Sequence, residues 1–303
     1  MIELHPVTLE DKAWIDPLVW AEASPSADFN FGNIFLWDNS FHQLVGRLGD
    51  RVIVMPCYAE TPFFAWPVGT GDLAPVMDKL EEHAGKLGFP FVLRGVTGDH
   101  LPLLDSLFPG RWHAEPERDL WDYLYDAEKL ATLTGKKLHG KRNHINRFEA
   151  ENDWSFTSMT PADFPECIAL LDEWNSANPE DQDMPDIDAT DEYTAILRAF
   201  DNYGPLGMEG GVLRVSGRAV AFTLGEMVCG HTFVVHFEKA HTDINGAYPM
   251  VNREFVRQIR ARHPSVRWIN REDDMGHESL RQSKESYHPD AMVEKYTVVI
   301  EHE

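Results

Sequence analysis

The side chains best suited to binding an anion lie together between residues 136 and 147. This stretch, KKLHGKRNHINR, holds five permanent cations and no acid, in a chain of 303 residues whose formal net charge is −23. Such a cluster favours an anionic partner, because lysine and arginine bind phosphates and carboxylates. We therefore predict that Lys137, Lys141, Arg142 and Asn146 bind phosphate groups. A solvated basic face that pairs with acids elsewhere in the chain is the alternative.

A helix must position this basic stretch. The run WDYLY at 121–125 predicts a strand, and Asp126 is a suitable N-cap for a helix that follows it. The basic stretch is then the second half of that helix. Two sets of side chains project from different faces at helical spacing, an apolar set that docks the helix (Leu138, Ile145 and Phe148) and a polar set that faces a ligand (Lys137, Lys141 and His144).

Glu238 and His236 are the candidate catalytic residues. They lie at the end of a predicted strand at 232–237, which a turn and a helix from Tyr248 follow. Glu238 is placed to take a proton from an attacking amine; an ion pair with Lys239 or another basic neighbour is the alternative. In the turn, Gly246 either lets the backbone approach a phosphate at the helix N-terminus or supplies an unusual backbone angle.

Polar residues that follow a short strand at 266–270 form a second candidate group. Ligands of α/β proteins bind where strands end, so we predict that this group binds the substrate: Asn270, Arg271, Glu272 and Asp273. The acids at 272–274 suit an amino group, or they end the strand and cap the helix at His277. Arg281 and Lys284, three residues apart on that helix, are predicted to bind phosphate; pairing of Arg281 with Glu278 is the alternative.

The length of the chain predicts two domains, because 303 residues exceed the usual size of one core. Strands and helices recur in both halves, which indicates an α/β protein with mixed sheets and a boundary between residues 1–127 and 128–303. A hairpin is predicted at 211–226, with its turn at Ser216-Gly217. The acidic, proline-containing segment at 175–188 predicts an exposed loop, or a lid over a substrate.

Several classes of function lack support in the sequence. The three cysteines are far apart and form no CxxC pair, which favours a reducing compartment and argues against a zinc site. No P-loop, HExxH, Ser-His-Asp order or dinucleotide-binding glycine motif is present. No apolar run reaches 18 residues, so we expect a soluble cytoplasmic protein without an integral membrane segment. The acidic balance disfavours unspecific binding to nucleic acid.

Motifs in the second half resemble those of a known family. They are YLYD at 123–126, GKK at 135–137, KRNHINRF at 141–148, VAFTLG at 220–225, HFEKA at 236–240, INREDDMG at 269–276 and LRQSKESYHP at 280–289. In combination they resemble the phosphatidylglycerol lysyltransferase C-terminal-like family. The resemblance implies two tandem GNAT-like acyltransferase domains related to the Fem peptidyltransferases, and a central strand that parts from its neighbour beside the acyl group.

The resemblance also implies an aminoacyl-tRNA donor and transfer to an amine or hydroxyl. We expect a transferase of this type without a tightly bound cofactor, whose C-terminal domain holds the donor. The acceptor is left open between a small molecule, a lipid and a peptide, and so is the oligomeric state. One alternative is a non-catalytic protein that binds a small anionic or aminoacylated ligand. An acyl-CoA-dependent N-acetyltransferase is another, although the usual glycine-rich pyrophosphate loop is not intact.

Overall fold

The computed structural model describes residues 1–177 and 189–301. The chain divides into two compact units, unit 1 (Met1–Asp122 with Val293–Glu303) and unit 2 (Tyr123–Met292). Most of the segment predicted to be an exposed loop or a lid, residues 178–188, lies outside the described residues. None of the helices in the described part of the chain is both long and apolar enough to cross a membrane.

Unit 1 contains two four-stranded sheets. Their orders are β1-β2-β3-β5 and β4-β6-β15-β7. The strands are β1 (His5–Pro6), β2 (Leu44–Leu48), β3 (Arg51–Met55), β4 (Phe64–Ala65), β5 (Val68–Gly69), β6 (Phe91–Thr97), β7 (Trp112–Pro116) and β15 (Lys295–Ile300). The helices are α1 (Lys12–Glu22), α2 (Phe31–Leu36), α3 (Asp38–Phe41), α4 (Ala74–Leu87) and α5 (Leu101–Leu107).

Unit 2 is built on one seven-stranded sheet of order β14-β8-β13-β12-β11-β10-β9. The strands are β8 (Asp122–Asp126), β9 (Trp154–Ser158), β10 (Glu209–Val215), β11 (Arg218–Cys229), β12 (Thr232–Ala240), β13 (Trp268–Asn270) and β14 (Ala291–Val293). The helices are α6 (Ala127–Thr132), α7 (His139–Glu151), α8 (Phe164–Ala177), α9 (Ala189–Asp201), α10 (Tyr203–Leu206), α11 (Ala247–Arg262) and α12 (Glu278–Glu285). The mixed α/β class is confirmed.

The contacts divide the chain differently from the predicted boundary at 127/128. Strand β15 was assigned to the C-terminal domain, but it pairs antiparallel with β6 on one side and β7 on the other, both in unit 1. Backbone pairing across some 180 residues leaves no local signal in the sequence. Unit 1 is therefore discontinuous, and unit 2 lies between its two segments along the chain.

The basic stretch is not the second half of one long helix. Asp126 does cap a helix, because its Oδ1 accepts the N–H of Lys129 at 2.9 Å, but that helix, α6, ends at Thr132. Leu133 and Gly135 follow with φ of 51° and 93°, a left-handed conformation that breaks the helix. A separate helix, α7, begins at His139, and the burial of Ile145 and Phe148 confirms the predicted apolar face.

The predicted hairpin is confirmed. Strands β10 and β11 pair antiparallel up to Val215 and Arg218. Ser216 and Gly217 between them have φ of 49° and 82°, as a two-residue turn with both central residues left-handed requires. The strand and helix predicted at 232–237 and from Tyr248 are also present, as β12 and α11.

Replacing Gly246 by Ala should destabilise the protein. Gly246 precedes α11 with φ of 88°, and a Cβ atom there would lie 2.6 Å from the carbonyl oxygen of His144 in α7. Strain and steric overlap together should lower the free energy of unfolding by about 1–3 kcal/mol. Urea denaturation measures the change. The matched control is Gly140→Ala, which has open space and should be neutral or stabilising; equal effects of the two variants would contradict the expectation.

Candidate active site

The candidate site forms where two parallel strands of unit 2 part. Strands β12 and β13 pair only at 232–234 and 268–270, after which β13 ends and β12 continues to Ala240. Beyond β13 the backbone turns to β8: Arg271 N–H donates to the Tyr123 carbonyl, and Tyr123 N–H donates to the Glu272 carbonyl. The predicted divergence of a central strand is therefore present. Glu238 lies on one side of it and Arg271 on the other.

Glu238 and Arg271 form a largely buried ion pair across this divergence. Arg271 Nη2 donates to Glu238 Oε1 at 3.0 Å, and the two side chains are 11% and 7% exposed. The other carboxylate oxygen accepts the amide of Asn252, from α11, at 3.2 Å. Burial opposes the charge of Arg271, but Glu238, Tyr125 and Tyr287 together outweigh it and the pKa of Arg271 is raised. Two residues assigned to different groups from sequence thus meet in one place.

Polar atoms around Glu238 have unused hydrogen-bonding capacity. Among the described residues, Nη1 of Arg271, Oδ1 of Asn252 and Oγ1 of Thr223 are buried without a hydrogen-bond partner. Thr223 is directly opposite Glu238 in the β11–β12 ladder, so their side chains are neighbours. Each such atom costs about 1–3 kcal/mol if nothing pairs with it. Unpaired donors and acceptors around one carboxylate are typical of a ligand site.

Tyrosine rings and a lysine complete this side of the cluster. Arg271 lies over the rings of Tyr287 and Tyr125, at 4.9 and 6.0 Å from their centroids. Lys141 Nζ, from α7, lies 3.9 Å from the centroid of Tyr287. Burial, and to a smaller degree Arg271, lowers the pKa of Lys141 to about 8, against the attraction of Glu238. Burial likewise raises the pKa of both tyrosines, so they remain neutral phenols.

His236 occupies a different place from Glu238. Its side chain is fully buried, with Nδ1 2.8 Å from Glu272 and Nε2 3.2 Å from Glu226. Burial alone would lower its pKa, but the two carboxylates raise it to about 9, so the ring is a cation at neutral pH. Both ring nitrogens already have a carboxylate partner, and neither is exposed to solvent. This geometry suits a residue that positions Glu272, and the catalytic role of His236 stays a prediction.

The segment after β13, predicted to bind substrate, is held mostly by its own contacts. Asn270 is buried and its Oδ1 accepts the N–H of Glu272 at 2.6 Å. Asp273 accepts the N–H of Met275 at 3.1 Å. Lys284, predicted to bind phosphate, is buried and donates to the carbonyl oxygens of Arg271, at 2.6 Å, and Asp273. These contacts shape the loop that presents Arg271.

Arg281, the second residue predicted to bind phosphate on α12, makes a bidentate pair with Asp274. The two distances are 2.6 and 3.0 Å, and Asp274 also accepts the hydroxyl of Tyr123 at 2.6 Å. Burial would raise the pKa of Asp274, but Arg281 and Tyr123 hold it below its usual value. Arg281 thus pairs with an acid seven residues away, and its predicted role in phosphate binding remains untested.

The residues of the basic stretch have different surroundings. Lys137 and Asn146 are exposed. Arg142 donates to the carbonyl oxygens of Leu133 and Gly135, which end helix α6 and its following turn. Gly246 approaches the backbone of His144, where its positive φ agrees with the turn role that the sequence left open. The stretch therefore combines solvent-facing cations, one structural arginine and one lysine beside Glu238.

Asn252, Thr223, Tyr125, Tyr287 and Glu226 were not singled out as site residues from sequence. Three of them lie in motifs that carried the family resemblance, Tyr125 in YLYD, Thr223 in VAFTLG and Tyr287 in LRQSKESYHP, and this was the available signal. Asn252, which is 1% exposed on the buried side of α11, gave no separate signal in the sequence. Glu226 directly follows VAFTLG on the same strand, β11, and had no signal of its own either.

A β-strand, helix and parallel strand with a divergent edge are the arrangement of a GNAT-like fold. Residues 21–299 match the family described as phosphatidylglycerol lysyltransferase, C-terminal. The chain belongs to this family, which confirms the resemblance.

Solved structures share the fold. A conserved protein of unknown function from Bacteroides thetaiotaomicron VPI-5482 is 36% identical, with a TM-score of 0.93 over 99% of this chain and 100% of the other. L-PGS from Bacillus licheniformis is 15% identical, with a TM-score of 0.70 over 100% and 95%. FemX is 9% identical, with a TM-score of 0.60 over 98% and 97%. The last two comparisons concern the fold alone: this chain shares the fold of L-PGS and of FemX, which confirms the predicted fold class.

A curated relative is described as an uncharacterized protein. The protein MYCGA3080 of Mycoplasmoides gallisepticum is 26% identical over 189 residues, which are 59% of this chain. The match spans 56% of the length of that relative.

Proposed function

We propose that unit 2 transfers an aminoacyl group from an aminoacyl-tRNA to an amine or hydroxyl acceptor by direct attack. Membership of the lysyltransferase family supports a transferase of this kind. The observation that carries the proposal is the buried Glu238–Arg271 pair at the divergence of β12 and β13, with unpaired polar atoms beside it. An acyl group entering between the strands would meet these atoms.

The unpaired atoms match the polar groups of an aminoacyl ester. Nη1 of Arg271 is a donor for the ester carbonyl oxygen and for the negative charge that develops on it during attack. Oδ1 of Asn252 is an acceptor for the α-ammonium group, and the Glu238 carboxylate next to it adds a negative charge. An acetyl group has the carbonyl but no ammonium. The arrangement therefore favours an aminoacyl donor over acetyl-CoA, the weaker alternative.

Binding of the α-ammonium group is a different role for Glu238 from the predicted proton abstraction. Its carboxylate already accepts hydrogen bonds from the guanidinium of Arg271 and the amide of Asn252. Binding of the donor ammonium suits it better, while proton abstraction by Glu238 remains a prediction. We expect no tightly bound cofactor, and the class of acceptor stays open between a small molecule, a lipid and a peptide.

A transfer assay tests the proposal. Purified protein is incubated with total tRNA that carries labelled amino acids, and separately with labelled acetyl-CoA, in the presence of phosphatidylglycerol vesicles or of a lysine-containing peptide. The proposal expects label to pass from tRNA to one of these acceptors. Saturable binding of the charged tRNA without transfer would instead favour the non-catalytic binding protein. Transfer from acetyl-CoA alone would favour an N-acetyltransferase.

Removing the exposed cations of the basic stretch should weaken binding of the tRNA backbone. Lys136 and Lys137 are both exposed, so Lys136→Ala/Lys137→Ala should leave the fold intact. We expect the plot of log affinity against log salt to flatten by roughly one unit per lysine that contacts a phosphate. A salt titration of charged-tRNA binding measures this slope. The charge-matched control is Lys79→Ala/Lys86→Ala on α4; identical slopes in all three proteins would favour a merely solvated basic face.

A further inference from the structure

Lys141 has an unusual environment for a lysine on a basic helix. Its side chain is only partly exposed, and its Nζ lies against the face of Tyr287. In the described ranges 1–177 and 189–301, this ammonium has no hydrogen bond and no ion pair. Its neighbours differ: Arg142 bonds to two carbonyl oxygens, Arg147 pairs with Glu151, and Lys129 pairs with Asp290.

Burial and the nearby Arg271 disfavour the charge of Lys141, and they outweigh the attraction of Glu238. Arg271 lies over the same tyrosine ring, so the two cations share one aromatic partner. Arg271 keeps its proton because Glu238 pairs with it directly, at 3.0 Å. Lys141 has no ion pair, only the weaker attraction of the Tyr287 ring face and of the more distant carboxylate, and it is the group that can give up its proton near neutral pH. Tyr287, whose ring Lys141 contacts, stays neutral, and so does Tyr125 beside that ring.

The other candidate bases of this cluster already have hydrogen-bond partners. Both nitrogens of His236 are occupied, and the side chain is inaccessible. Both oxygens of Glu238 already accept hydrogen bonds. Lys141 is partly exposed and unpaired, and its Nζ contacts the Tyr287 ring over which Arg271, of the pair that we propose holds the aminoacyl ester, also lies.

We propose that Lys141 is the general base of the transfer reaction, acting on the acceptor; this rests on the proposed function. Its neutral amine takes the proton from the acceptor amine or hydroxyl as that atom bonds to the acyl carbon. The ester C–O bond then breaks, and the ammonium of Lys141 returns the proton to the departing oxygen of the donor. No proton is gained or lost by the protein over the cycle, and no covalent enzyme intermediate forms.

The first test measures the proton affinity of Lys141 directly, without any substrate. Trace labelling with acetic anhydride at a series of pH values, followed by peptide mass spectrometry, gives the reactivity of each lysine; Lys79, an exposed lysine of α4, is the internal reference for the reagent. We expect Lys141 to become reactive around pH 8. Reactivity that begins only near pH 10 would overturn the proposal, whether or not the protein transfers aminoacyl groups.

The second test follows transfer as a function of pH with the donor and acceptor identified by the transfer assay. Lys141→Met and Lys141→Arg should each lower kcat by roughly 10²–10⁴-fold with little change in the KM for charged tRNA, and the acidic limb of the wild-type profile near pH 8 should disappear. Lys79→Met is the matched control. Normal activity of Lys141→Arg would show that only the positive charge matters and overturn the proposal. An inactive wild type would instead refute the proposed function.

Discussion

Arg271→Met should abolish aminoacyl transfer and destabilise unit 2 at the same time. Loss of the guanidinium leaves the Glu238 carboxylate, 7% exposed, without its cation. Breaking a buried pair from one side costs about 3–5 kcal/mol. Loss of the donor that faces the ester carbonyl should lower kcat by about 10²–10³-fold. Urea denaturation and the tRNA transfer assay measure the two effects.

A double variant separates folding from chemistry at this pair. Arg271→Met/Glu238→Gln removes both charges, so it should recover most of the lost free energy of unfolding but none of the transfer. Arg218→Met, which breaks the exposed pair with Glu173, is the control and should change stability by about 1 kcal/mol or less. If the double variant folds stably and transfers at the wild-type rate, the pair has no part in the reaction.

His236→Gln should destabilise the protein strongly at neutral pH and remove part of its pH dependence. The histidine is a buried cation between Glu226 and Glu272, and without it two carboxylates face each other. We expect a loss of about 3–5 kcal/mol, most of which a second change, Glu226→Gln, should restore. Thermal or urea denaturation of the three proteins measures this.

The sign of the pH effect follows from the raised pKa of His236. The folded protein holds this proton up to about pH 9, whereas an unfolded histidine releases it near pH 6.5. The stabilisation is therefore complete below pH 6.5 and is lost as the pH rises to about 9. Lys141 has the opposite effect, because its pKa is lowered to about 8. Its charge destabilises the folded protein below that pH, and this destabilisation is relieved as the pH rises above about 8. Between pH 6.5 and 8, wild-type stability should fall, and that of His236→Gln should be flat; equal slopes would contradict the assignment.

Local patterns in the sequence were enough to predict much of unit 2. The turn at Ser216-Gly217, the N-cap at Asp126 and the apolar face of α7 all depend on residues a few positions apart. The break between α6 and α7 was missed because a left-handed Leu133 has no sequence signature, and the glycine two positions later was the available hint.

Candidate residues were easier to find than their partners. Glu238 and Arg271 were both proposed from sequence, yet their pairing depends on how far β13 extends beside β12. Arg281 and Lys284 were predicted to bind a ligand because the sequence does not show their internal partners. Those partners, Asp274 for Arg281 and backbone carbonyls for Lys284, are set by the tertiary structure. The sequence does not show whether a charged side chain pairs with another group of the same protein or is free to bind a ligand. The same limit explains why Lys141 was grouped with Lys137.

Strand β15 sets the order in which this chain can fold during synthesis. Unit 1 lacks the strand between β6 and β7 until residues 295–300 have been made, although 122 of its residues are translated first. Domains usually fold in the order in which they leave the ribosome. Here all of unit 2 is translated before unit 1 receives its last strand. Until then the edges of β6 and β7 that β15 will cover stay open to pairing with other chains.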